Sequence, residues 1–142
     1  MIDIENMVLD AVSKAVKAKY PNAQVFGEYV ESPARFPCVT IVEDSNITYR
    51  KTQDETLPEH HATLMYSVNC YSDKAGAKKS ECKDIADIVD RTMQDLKFTR
   101  TMAMQTPSVD RTIYRITARY TAVVAAGYTN EDGNTVYQLY RK

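Results

Sequence analysis

Tryptophan is missing from this 142-residue chain, glycine occurs four times, cysteine three times and histidine twice. Each scarcity removes a class of chemistry. The glycines at 27, 76, 127 and 133 form neither G-x-G-x-x-G nor G-x-x-x-x-G-K-[ST], so nucleotide binding through either phosphate-cradling loop is excluded. Cys38, Cys70 and Cys82 are odd in number, widely spaced and set in apolar runs, a pattern of reduced, buried thiols rather than of a disulfide framework or paired zinc ligands. An excess of one charge is also missing. With 18 basic and 19 acidic side chains, the net charge of −1 supplies no bulk attraction to nucleic acid or anionic membrane. No apolar run approaches the roughly 20 residues that span a bilayer, and the opening Met1-Ile-Asp-Ile-Glu5 is acidic where a signal peptide is basic. The expectation is a cytosolic chain with no membrane contact. Internal repeats and low-complexity segments are absent as well.

What is present is enough apolar sequence, 44% of the residues, to build a core without staples. Ile4, Met7, Val8, Ala11, Val12, Ala15 and Val16 recur at helical spacing and predict an amphipathic helix over Asp3 to Lys19, ended by Pro21. Val25 to Val30 is a short strand candidate pairing with the β-branched run Cys38 to Val42. Asn46 to Thr52 continues as a polar ribbon, and Gln53 to Glu59 has turn composition. Strict alternation over His61 to Tyr71 predicts a strand with one buried face. A second helix follows over about Lys78 to Leu96, with Cys82, Ile85, Ala86, Val89, Met93 and Leu96 facing the core. Phe98 to Gln105 and Thr112 to Val124 read as strands, the second with Arg115, Thr117 and Arg119 on a polar face. A turn at Asn130 to Gly133 and a strand at Thr135 to Tyr140 complete the tail. The order predicts a single α+β domain, a core of residues 1–126 and a hairpin extension of 127–142. Two helices pack on one face of a largely antiparallel sheet, from which a long β-ribbon (Asn46 to His61) protrudes. Ile85 and Ile116 are expected in the core.

Candidate chemistry is sparse. The rings of His60 and His61 would point to opposite faces of a strand and could not share a metal. Glu81, Asp84, Asp87 and Asp90 repeat at three-residue spacing and mimic a cation ladder, but Lys79, Lys83 and Arg91 interleave with them, which reads as a solvated charged face. No nucleophile, base and oxyanion donor can be grouped, so no enzyme, cofactor or metal is expected. Ten tyrosines, several beside basic residues, fit subunit contacts better than a nucleic-acid platform in a chain that is not basic.

The segments Phe36-Pro-Cys-Val-Thr-Ile-Val-Glu43, Tyr49-Arg-Lys-Thr-Gln-Asp54, Met65-Tyr-Ser-Val-Asn-Cys-Tyr-Ser-Asp73, Lys78-Lys-Ser-Glu-Cys-Lys83 and Ile113-Tyr-Arg-Ile-Thr-Ala-Arg-Tyr-Thr-Ala122 carry a family likeness. In them the chain resembles the tail terminator (tail completion, head-tail joining or minor capsid) proteins of long-tailed bacteriophages, over about Met1 to Val124. The resemblance implies a virion protein assembled in a bacterial cytoplasm. It forms a hexameric ring at the head-proximal end of the tail, contacts the tail tube protein and the head-tail connector or stopper, and lets DNA pass without sequence-specific binding. Ring closure needs one patch of a subunit to meet a different patch of its neighbour. Tyr49, Arg50, Lys51, Gln53, Asp54 and Glu55 on the ribbon are the candidates for one patch, and Arg115 and Arg119 on the polar sheet face for a wall near the channel or for contact with a neighbour. A connector stopper, or a small α+β ligand-binding domain that dimerises through its sheet, are the alternatives.

Overall fold

A computed structural model of the chain describes residues 1–30, 33–52, 61–108, 110–125, 127–129, 131–132 and 135–141. Helix α1 spans Glu5–Lys19 and buries Val8, Val12 and Val16, one residue per turn along a single stripe. Asp3 Oδ1 accepts the Glu5 amide at 3.0 Å and so satisfies one of the donors that a helix start leaves unpaired. Helix α2, Lys78–Asp95, buries Cys82, Ile85, Val89 and Met93. It ends with Lys97 in the left-handed region at φ 73°, while Phe98 N donates to Met93 O and Lys97 N to Gln94 O, each at 2.9 Å. Those two bonds are a Schellman ending, and buried Phe98 anchors it.

The strands are β1 (Gln24–Phe26), β2 (Cys38–Thr48), β3 (His61–Ser72), β4 (Thr99–Gln105), β5 (Tyr114–Ala125), β6 (Tyr128–Thr129), β7 (Thr135–Val136) and β8 (Leu139–Tyr140). An open six-stranded sheet runs β1-β2-β3-β5-β4, and β8 pairs with β5 beyond the end of β4. Only the β1–β2 pair is parallel; every other described pair is antiparallel. Both helices lie on the face carrying Val39, Ile41, Leu64, Tyr66, Val68, Ala118, Tyr120 and Val124, all buried. Tyr66 meets Phe98 edge to face, ring centroids 5.5 Å apart. The expected α+β architecture, with two helices on one face, is the one observed.

Several boundaries differ from the sequence expectation. The first strand stops at Phe26 rather than Val30, because the chain leaves the sheet at Gly27, where a Cβ would stand 3.4 Å from Leu9 Cδ2. The polar run from Asn46 is not a separate element: β2 continues through it to Thr48 by absorbing a bulge between Glu43 and Ser45, and Arg50–Thr52 forms a single 3-10 turn. The expected strand over Thr135 to Tyr140 divides. Its first part pairs with β6 and its second with β5, while Tyr137 and Leu139 pack on the core. Ile116 is only half-buried, since it lies at the margin of α2, in the groove between that helix and β4.

Candidate functional site

The face of the sheet opposite the helices is polar, and β3 and β5 build its centre. Strand alternation puts Tyr71, Asn69 and Ser67 beside Arg115, Thr117 and Arg119 in register. Asn69, 5% exposed, is the hub. Its Oδ1 accepts from Arg115 Nε at 3.1 Å, Arg115 Nη2 at 2.9 Å and Thr117 Oγ1 at 2.7 Å. Thr106 Oγ1 donates in turn to Thr117 Oγ1 at 2.6 Å, and the Arg115 guanidinium lies 5.4 Å from the centroid of the Tyr71 ring. Arg115 is therefore a half-buried structural cation. Arg119 differs: its side chain is 53% exposed, with Nε 4.0 Å from Asp44 Oδ2. Asp44 occupies the β2 bulge and also accepts from Ser67 Oγ. Sequence reasoning picked the two arginines and missed Asn69 and Asp44, because a side-chain hub across strands leaves no trace in periodicity.

The other candidate patch lies elsewhere. Tyr49 follows β2, with Arg50 and Lys51 exposed in the turn after it; Gln53, Asp54 and Glu55 fall outside the described residues, as do the rest of the Gln53 to Glu59 loop and His60. The His61 ring sits 6.4 Å from that of Tyr49 and 5.8 Å from that of Tyr140. His61 and Tyr71 stand ten residues apart on β3, or about 33 Å, so the Tyr49 and Arg115 patches occupy opposite ends of the sheet.

The acidic row on α2 is not the solvated face expected from its spacing. Asp84 accepts from Tyr20 OH at 2.5 Å and pairs with Lys19 Nζ at 2.7 Å, tying the two helices together. Those bonds, Lys19's first, hold the Asp84 carboxyl below its usual range, and the same contact pushes the Tyr20 hydroxyl up to about 12. Asp90 accepts from Tyr120 OH and from Arg100 Nη1, both at 2.9 Å, tying α2 to β5 and β4. Glu81 accepts from Ser72 Oγ at 2.8 Å. Asp87 pairs along the helix with Arg91. The carboxylates of Glu81, Asp84 and Asp90 point at donors on other elements because α2 lies flat on the sheet beside α1, a relation helical spacing does not encode.

Cys38, Cys70 and Cys82 are buried and free. Burial pushes the Cys38 thiol up to about 11, Cys82 to about 12 and Cys70 well above its ordinary value, so at neutral pH none is a thiolate nucleophile. Among the described residues no three His, Cys, Asp or Glu side chains gather as a metal site, and no helix is long and apolar enough to cross a membrane.

No protein-family model and no curated protein matches this sequence. Among solved structures, the bacteriophage SPP1 gp17 protein is similar over 82% of this chain and 89% of its own, with a TM-score of 0.37 and 15% identity.

Proposed function

We propose that this chain is a structural subunit of a phage virion, a tail terminator that closes the tail tube as a ring and joins it to the head connector. One observation carries the reading together with the sequence resemblance: a sheet face that neither helix covers, on which Asn69, Arg115, Thr117 and Thr106 are locked into one another. A wall of this kind is rigid and wettable, suited to contact with another protein or to lining a passage. The Asn69 hub neutralises none of the charge on Arg115 but fixes its direction, while Arg119 stays exposed to a partner. Patches at opposite ends of the sheet, one at Tyr49 and one at Arg115, suit a subunit held between two different partners. The ring is hexameric in this reading, its partners are the tube protein and the connector or stopper, DNA passes without being read, and the chain catalyses nothing.

Light scattering and negative-stain imaging of the purified protein, alone and after addition of tail tubes, test the proposal. Six copies of the 16.1-kDa chain give a ring of about 97 kDa on tube ends. A chain that stays monomeric and leaves tube ends bare overturns the reading, and binding to isolated connectors alone would replace it with a stopper.

A further inference from the structure

The two outer edges of the sheet are complementary to each other. On one side β2 pairs with β1 only from Cys38 to Thr40, and among the described residues no strand lies beside it from Val42 to Ile47, where Ile2 O accepts the side-chain amide of Asn46, at 2.6 Å. On the other side β4 pairs with β5 through its inner edge, and no described strand lies outside it. Tyr49 N donates to His61 O at 2.8 Å, so alternation turns the Asn46 amide away from β3. Thr106 N donates to Arg115 O at 3.0 Å, which turns the amides of Ala103 and Gln105 away from β5. Outward amides on a sheet edge are a template for another strand.

Three features fit these edges to one another. The first is polarity: β2, β3, β5 and β4 alternate in direction, so β2 and β4 run oppositely. A copy related by rotation about an axis along the strands therefore brings its β2 antiparallel to the first copy's β4. The second is shape. Each edge strand carries one bulge, at Asp44 and at Thr101, and the register sets both at the level of the Tyr66–Tyr120 pair. Both edges thus bend at the same height. The third is charge: residues 38–48 hold Glu43 and Asp44 with no cation, whereas residues 97–105 hold Lys97 and Arg100 with no anion, so the strands differ in sign even though Asp44 also faces Arg119 and Arg100 also pairs with Asp90. A groove of about 470 Å³ flanks the β1–β2 side, lined by Glu5, Leu9, Phe26 and Glu28, and one of about 330 Å³ flanks β4, lined by Ala103, Ile116 and Ala118.

We infer that β4 of one copy adds to the free edge of β2 in a second copy as its antiparallel neighbour, so that subunits share one continuous sheet. This rests on the ring reading above and names the surface that makes the ring.

Hydrogen exchange on the assembled protein and on the same protein diluted to monomer tests the pairing, together with an Ala103→Pro variant. Proline there removes an amide that points outward, so the monomer keeps its fold, checked by circular dichroism. The expected result is at least about tenfold slower exchange at Asn46, Ala103 and Gln105 on assembly, and an Ala103→Pro chain that is folded and monomeric. Rings whose Asn46, Ala103 and Gln105 amides exchange as fast as in the monomer overturn the edge pairing and leave the terminator reading standing. A folded Ala103→Pro variant that still forms rings does the same. A chain that never self-associates, even with tail tubes, overturns both. Should Ala103→Pro not fold, the exchange comparison on the unaltered chain decides alone.

Discussion

Asn69 illustrates how one buried side chain organises a face. Its single carbonyl oxygen receives three donors from two residues on β5, so its loss strands all three together. Asn69→Ala is expected to cost about 1–3 kcal/mol of stability, measured by urea denaturation; a loss within about 0.5 kcal/mol would mean that Arg115 and Thr117 find water just as good a partner. Asp84 makes a pH-dependent contribution. Its folded carboxyl is held below the ordinary 3.8, so the stability it supplies is present above the unfolded value and lost as pH falls through the folded one. Asp84→Asn should therefore lower the thermal midpoint at neutral pH, and the gap to the unaltered protein should close in acid. A gap that widens in acid would contradict the Lys19 and Tyr20 contacts as its cause.

At the scale of elements, the end of α2 and the reach of its cover are the sensitive features. Lys97 holds a left-handed conformation that glycine adopts without strain, in a Schellman ending whose two bonds do not use its side chain. Lys97→Gly should raise stability by up to about 1 kcal/mol, since relief of the left-handed strain outweighs the entropy glycine adds to the unfolded chain. A thermal melt reading a loss would place the lysine side chain in an interaction that matters more. Ile85, fully buried on the sheet-facing side of α2, and Ile116, half-buried at the margin between α2 and β4, compare the centre of the covered sheet with its rim. Ile85→Ala should cost about 2–5 kcal/mol and Ile116→Ala distinctly less, by chemical denaturation of both. Equal costs would mean that the rim of the sheet is as well covered as its centre.

For the whole molecule, the question is whether folding and assembly separate. Arg119 lies on the open face with more than half its side chain exposed, near a single carboxylate, so it contributes little to the fold. Arg119→Glu is expected to leave the thermal midpoint within about 2 °C, the size of a roughly 0.6 kcal/mol change, while ring formation on tail tubes falls at least about tenfold. Loss of folding and assembly in parallel would instead make the Asp44 contact part of the scaffold.

Both helices, the long strands β3 and β5 and the buried state of the cysteines were legible in the chain itself, because hydrophobic period and chain punctuation are local properties. Val8, Val12 and Val16 mark a stripe whatever they pack against. The sequence also excluded phosphate loops and a large net charge, since both depend on residue counts and short spacings alone. Only the tertiary structure decided what the polar residues do. Asp84 and Asp90 fall roughly 120° apart on a helical wheel, but the wheel does not say that one clamps α1 and the other β4 and β5, because neighbours distant in the chain supply the donors. It likewise decided that the run from Asn46 belongs to β2, because the bulge at Glu43–Ser45 shifts the register by one residue and breaks the alternation a sequence reader follows. The two edges left open among the described residues have the same origin: an edge is defined by which strands stand next to one another, and strand order is a property of the folded chain.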